Sequence, residues 1–192
     1  MLKQALLPVL LALPLAGCVS LGGKTPEQLL TLTPARAAPA GAGTTAQAES
    51  ALAVIEPDAE QRLNVTRVPV QVSESSVAYL QDAVWVEKPA RLFQALVAET
   101  IRAKGSRLVV GGDLGYAAVT KLSGRLLDMG YDVASGSAVV RYDAVLQMPD
   151  GRVLTRRFES RVPGVAAEAA AVGPALNQAA NQVADQVAEW VG

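Results

Sequence analysis

The sequence predicts an α/β fold, a two-layer sandwich in which a mostly antiparallel sheet carries two main amphipathic helices on one face. Three observations lead there. Apolar residues recur at helical spacing twice, as Leu92, Phe93, Leu96, Val97 and Ile101 and again as Val172, Leu176, Ala180, Val183, Val187 and Trp190. Each stripe needs an apolar surface to cover it. Between the stripes lie three runs with strand character, at 119–133, 138–148 and 153–162. Pro149-Asp150-Gly151 joins the last two runs so tightly that they must be antiparallel neighbours.

The chain opens with the three parts of a secretion signal: Lys3, an apolar run over 5–15, and the small residues Ala16-Gly17. A membrane-spanning helix needs about 20 apolar residues. This run is shorter and meets Gly17, Gly22, Gly23 and Lys24. Leu15-Ala16-Gly17-Cys18 resembles the bacterial lipobox, whose cysteine takes a diacylglycerol, becomes the first mature residue and is acylated again on its new amine. Cys18 is also the only cysteine, and an unpaired thiol in an exported chain is otherwise a liability. One acyl chain holds a protein at a bilayer marginally, and two or three hold it stably. Val19 follows where the usual inner-membrane retention signal has aspartate, so resemblance implies sorting to the outer membrane. The expected organisation is a signal over 1–17, a lipidated tether over 18–28 and a single domain over 29–192.

Within that domain, Leu29-Leu30-Thr31-Leu32-Thr33 alternates and reads as a first strand. Residues 34–50 are almost wholly Ala, Pro, Gly, Thr and Gln, too poor in large apolar groups to offset ordering, and read as a flexible loop. Residues 51–57 form a short apolar strand, and 65–72 a second in which Pro69 marks an edge or an irregularity. Two further segments, 77–80 and 84–86, are separated by Gln81-Asp82. Pro89 suits a first helical position and Gly105 a helix stop. A strand over 108–110 and a turn at Gly111-Gly112 precede the long runs. The closing helix either begins near Pro174 or carries an earlier turn joined through a kink there.

The second long hairpin can be registered from its side chains. A three-residue loop with Gly151 in the left-handed position pairs Met148 with Arg152. Leu146 then faces Leu154 and Tyr142 faces Phe158 on the core side, while Asp143 meets Arg157 and Arg141 meets Glu159 on the other. A two-residue loop would set Asp143 against Phe158 and Tyr142 against Glu159, so the pairing selects the longer loop.

Composition narrows the function. Lys+Arg is 17 against Asp+Glu 18, so no global field favours nucleic acid. There is no histidine, which removes the common metal ligand and the common base at neutral pH; no metal, cofactor or catalytic residue is expected. Gly111-Gly112-Asp113-Leu114-Gly115 lacks the spacing and lysine of a phosphate loop and reads as a turn. Ser123-Gly124 and Ser135-Gly136-Ser137 are not nucleophile elbows, and a serine hydrolase here would need a lysine base. Asp128 and Asp132 read as strand-face charge, and Tyr79, Trp85 and Trp190 as anchors of the core.

Taken in order, the lipobox, Leu29-Leu30-Thr31-Leu32-Thr33-Pro34, Val84-Trp85-Val86-Glu87-Lys88-Pro89 before a helix, the long hairpin strands and an alanine-rich last helix resemble the ABC-type transport auxiliary lipoproteins. These are accessory subunits of mammalian-cell-entry (MCE) lipid transporters. The resemblance implies a non-enzymatic, outer-membrane-tethered adaptor on the periplasmic side, partnered by an MCE protein and an ABC permease and ATPase. The rival expectations are a structural lipoprotein of outer-membrane assembly and, further off, an enzyme with a serine-lysine pair. The expected interaction face is the charged side of the hairpin, Val139, Arg141, Asp143, Val145, Val153, Arg157 and Glu159, meeting a partner or a second copy.

Overall fold

The computed structural model describes residues 28–47, 50–105, 107–111 and 118–192. The signal over 1–17, Cys18, the tether up to residue 27 and the turn after Gly111 lie outside the described residues. The described chain runs β1 (Leu52–Val54), β2 (Asp58–Ala59), a 3-10 turn (Gln61–Leu63), β3 (Arg67–Ser73), β4 (Ser76–Val84), α1 (Pro89–Lys104), β5 (Val109–Val110), β6 (Thr120–Asp132), β7 (Ser137–Gln147), β8 (Val153–Val162) and α2 (Ala169–Val191).

β6 organises the sheet. Along one edge β1, β2 and β3 lie parallel to it in succession, Leu52 beside Thr120, Asp58 beside Arg125 and Val70 beside Tyr131. Along the other edge β7 runs antiparallel, and β8 pairs in turn with β7. β5 flanks β1 and β4 flanks β3. The sheet is therefore mixed: the long ladders are antiparallel as expected, and the short ones against β1, β2 and β3 are parallel. Residues 52–71 behave as one interrupted strand tracking β6, broken by Pro57 and the 3-10 turn, so no sustained alternation announces them.

Close approach makes Gly130 obligatory. A Cβ there would stand 2.3 Å from the Pro69 carbonyl oxygen, so any side chain would push β3 off β6. Pro69 itself lies between β4 and β6, at a register shift after Arg67, which makes it an irregularity and not an edge residue. The two segments expected around Gln81-Asp82 are one strand whose register slips there, with Asp82 in the left-handed region at φ 54°. Aspartate tolerates that conformation better than most residues.

α1 begins with Pro89 and ends at Gly105, and its stripe from Leu92 to Ile101 is buried. α2 starts at Ala169, upstream of Pro174. Pro174 stands exposed in the second turn, where it removes one ladder bond and its ring meets solvent. Both helices cover the same face of the sheet. Phe93 meets Tyr142 edge-on at 5.1 Å and Trp190 meets Phe158 at 5.6 Å, so aromatic pairs join each helix to the hairpin. Trp85 and Phe158 are among the largest fully buried side chains, while Tyr79 is half-buried beneath the Arg67 guanidinium, 4.2 Å from its ring centre.

The expected first strand is corrected. Residues 29–33 make only a parallel bridge between Leu30 and Trp85, with Leu30 N–H donating to the Val84 carbonyl and Val86 N–H to that of Leu30. Beyond it the chain leaves the sheet and crosses the helices, because its next partners are side chains of α2.

Candidate interaction face

The hairpin register is the one its side chains require. Met148 N–H donates to the Arg152 carbonyl at 2.8 Å, Gly151 adopts φ 83°, and β7 pairs with β8 through Tyr142–Phe158, Leu146–Leu154, Asp143–Arg157 and Arg141–Glu159. Alternation then sorts the two strands. Ala138, Val140, Tyr142, Ala144 and Leu146 go into the core, and Arg141, Asp143 and Val145 turn to the uncovered face with Val153, Arg157 and Glu159; Val139 lies on that side too but is buried, 5% exposed. All seven residues expected to form an interaction face therefore share one side of the sheet. Leu154, on the helix side, stays 38% exposed because α2 does not cover the start of β8.

β6 completes this face in a way its sequence conceals. Leu126 pairs with Tyr142 and Asp128 with Arg141, so Leu127 is an extra residue, a bulge. The bulge resets alternation and turns Asp128 to the open side, where its carboxylate accepts from Arg141 at 2.7 Å and from Arg62 at 2.7 Å. Arg62, on the 3-10 turn, also donates to the Leu127 carbonyl at 2.8 Å, occupying an acceptor at the disturbed point of the ladder. Cross-strand rows follow. One reads Arg125, Asp143, Arg157 and the next Asp128, Arg141, Glu159, each with its central charge between two of opposite sign.

The network continues at both ends, through Glu60 bonded to Arg62 and through Arg161 shared by Glu159 and Asp132. Arg157 holds Asp143 with two bonds of 2.6 Å. That pairing keeps the Asp143 carboxyl below its usual range, and Arg141, then Arg161, does the same for Glu159. On the opposite side, burial raises the Tyr142 hydroxyl, which donates to the Ser123 carbonyl at 2.6 Å. The five arginines and five carboxylates of this network balance, while Glu56, Asp58 and Glu74 line the depressions beside it. The face therefore offers geometric and ionic complementarity through alternating charges.

Two depressions flank the ridge made by β2 and the 3-10 turn. One of about 370 Å³ is lined by Arg62, Gln71, Asp128, Val139, Arg141 and Arg161. The other, of about 390 Å³, is lined by Ile55, Asp58, Ser123, Arg125, Asp143 and Val145. Sequence reasoning found the β7 and β8 side of this surface but missed Arg62, Arg125, Glu60 and Arg161. It also read Asp128 as plain surface charge, whereas its side chain is 20% exposed and bridges two arginines. The Ser135 hydroxyl bonds the Asp132 carboxylate.

What the fold and this face define is a small α/β module with a self-paired polar face. The chain belongs to the ABC-type transport auxiliary lipoprotein components, whose family model matches residues 30–188. That is a family of transporter auxiliary components and not of enzymes. Two crystal structures share the fold. Protein XCC0632 from Xanthomonas campestris is 21% identical, with a TM-score of 0.63 over 86% of this chain and 92% of that one. An uncharacterised protein is 13% identical, with a TM-score of 0.67 over 86% of this chain and 100% of that one. The comparison with curated proteins gives no match. Among the described residues no helix is long and apolar enough to cross a membrane.

Proposed function

We propose that this chain is an accessory subunit of an ABC/MCE-type lipid transport system, tethered through acylated Cys18 to the periplasmic side of the outer membrane and acting as a non-enzymatic adaptor. The observation that carries this reading is the family match across the whole folded domain, behind a Leu-Ala-Gly-Cys signal. ATP hydrolysis belongs to a partner, since no phosphate-loop motif is present. The open face fits an adaptor. Its depressions are shallow and ion-paired, whereas a site for an acyl chain would be deep and apolar. The MCE protein of the same system, or another copy of this chain, is the intended occupant of the face around Val145, Arg157 and Glu159.

Three experiments test this. A photo-crosslinking residue at Val145 should trap an MCE or permease partner, or a second copy, in intact cells. Capture of outer-membrane assembly components would favour a structural role there instead, and traps obtained only from the helix side would reassign the surface. For the anchor, Cys18→Ser should abolish fatty-acid labelling and membrane retention while the domain still folds, because residue 18 precedes the folded domain. Labelling that persists in the variant would sink the lipidation assignment. Fractionation of the wild-type protein with inner membranes would overturn the sorting by Val19.

A further inference from the structure

Residues 30–38 cross the helix layer as a strap that bends at Ala35-Arg36. After the Leu30 bridge, Thr33 N–H donates to Asn177 Oδ1 at 2.8 Å, and Asn181 makes the next contacts with both ends of its amide. Asn181 Nδ2 donates to the Thr33 carbonyl at 2.9 Å, and Asn181 Oδ1 accepts from Ala35 N–H at 2.7 Å. Glu99 on α1 then accepts from Ala38 N–H at 2.8 Å. Asn177 and Asn181 stand one helical turn apart, so α2 presents amides to the strap much as a neighbouring strand would. Asn181 is 9% exposed, and its amide is satisfied largely by the strap. Leu30 and Leu32 pack against the core beside it, with Leu30 seated on Gly173, where a Cβ would lie 2.7 Å from its Cδ2.

We propose that the α1–α2 surface is a binding groove for extended chain, occupied by the chain's own residues 30–38, and that this docking sets the length of the membrane tether. This rests on the reading that Cys18 is the anchor. Leu30 stands twelve residues on from Cys18, a reach of at most about 40 Å. With the strap released, the first fixed point becomes Leu52, thirty-four residues on, and the ceiling rises to about 115 Å. The strap is held by the two backbone bonds of the Leu30 bridge, by main-chain bonds to Asn177, Asn181 and Glu99, and by two partly buried leucines, and Ala35, Ala37, Ala38 and Pro39 add little apolar area. Its opening therefore belongs at the low end of the domain's local stabilities. The groove reads main chain, so its grip is indifferent to the side chains at 33, 35 and 38.

The test uses the full chain in two settings. In the Cys18→Ser protein, amide exchange at Thr33, Ala35 and Ala38 should be protected relative to free peptide, and Asn181→Leu should accelerate all three by at least about tenfold, the equivalent of one lost hydrogen bond. β7 amides should keep their protection. Glu99→Ala, at a half-buried position of α1 where Glu99 also pairs with Arg102, should accelerate Ala38 alone and guards against a folding defect in the first variant. On vesicles, energy transfer from a dye at the exposed Val133→Cys of the acylated protein to a bilayer acceptor should fall in a Leu30→Pro, Asn181→Leu double variant, which also breaks the Leu30 bridge. Unprotected strap amides in the wild type, or release of the strap in the double variant with no change in transfer, would overturn the proposal. Failure of the protein to bind vesicles would instead count against the anchor and leave the exchange result to decide on the strap.

Discussion

The two edges of β6 are built by opposite means. On one side β7 and β8 form long antiparallel ladders, β8 registered on β7 by a three-residue turn and β7 on β6 by a four-residue one, and every cross-strand pair is near in sequence. On the other, residues 52–71 follow the same strand in three short parallel steps, and Asp58 finds Arg125 across sixty-seven residues. The first edge is held by local pairing. The second is held by shape, with Gly130 and the Leu127 bulge on β6 receiving what the interrupted strand brings.

The largest test of that contrast is Phe158→Ala. Phe158 is 2% exposed and joins the hairpin to Trp190, so truncation should cost on the order of 3 kcal/mol, read as a loss in denaturant midpoint. A loss under about 1 kcal/mol would mean the hairpin is not clamped by α2. Gly130→Ala probes the other edge. Its new methyl meets backbone at Pro69, which has no rotamer to yield, and about 1–3 kcal/mol should be lost. Exchange should quicken at Val70 and Gln71 while β8 amides stay protected. Uniform loosening would show that the two edges are one cooperative unit.

How far each edge could be read from sequence follows the same division. Pro149-Asp150-Gly151 with Tyr142, Asp143, Arg157 and Phe158 determines the hairpin because the information is contiguous. Pro89 and Gly105 bound α1 for the same reason. The bulge at Leu127 was illegible, since Leu126-Leu127-Asp128 looks like ordinary strand until β7 is laid against it. Arg62 was illegible too, because nothing near it hints at Asp128. Leu29-Leu30-Thr31-Leu32-Thr33 misled for a different reason: alternation suits any extended chain with one buried side, and here that side rests on helices. The seven residues read from sequence all lie on β7 and β8, and the part of the face on β6 and the 3-10 turn was not legible.

Asp128→Asn sits between the two edges, since Asp128 belongs to β6 but neutralises one arginine from each side. The amide keeps the shape and removes the charge, leaving Arg62 and Arg141 facing one another. With side chains 20–28% exposed, solvent reduces the penalty well below that of a fully buried pair, and a loss of about 1–2 kcal/mol is expected. Raised salt should narrow the difference by screening the arginines. A neutral result would assign the Arg62 turn to packing alone.

The smallest effect is the most specific. Arg157→Glu puts like charges opposite each other at Asp143, and because Arg157 is largely exposed the loss should stay below about 1 kcal/mol. Asp143→Arg in the same chain should recover part of it, and a double-mutant cycle with no coupling would contradict the register. Acid gives an independent reading of the same pair. The folded-state pKa values of Asp143 and Glu159 are depressed by their arginines, so the stability they contribute is complete above the unfolded range near pH 4 and is lost as pH falls through the lower folded values. Asp143→Asn should flatten that acid limb without moving the midpoint at neutral pH by more than the pair itself is worth. If the limb is unchanged, the acid sensitivity lies elsewhere on the face, in Glu159 and the Arg161–Asp132 end of the network, and the cycle should then be run on Arg141 and Glu159 instead.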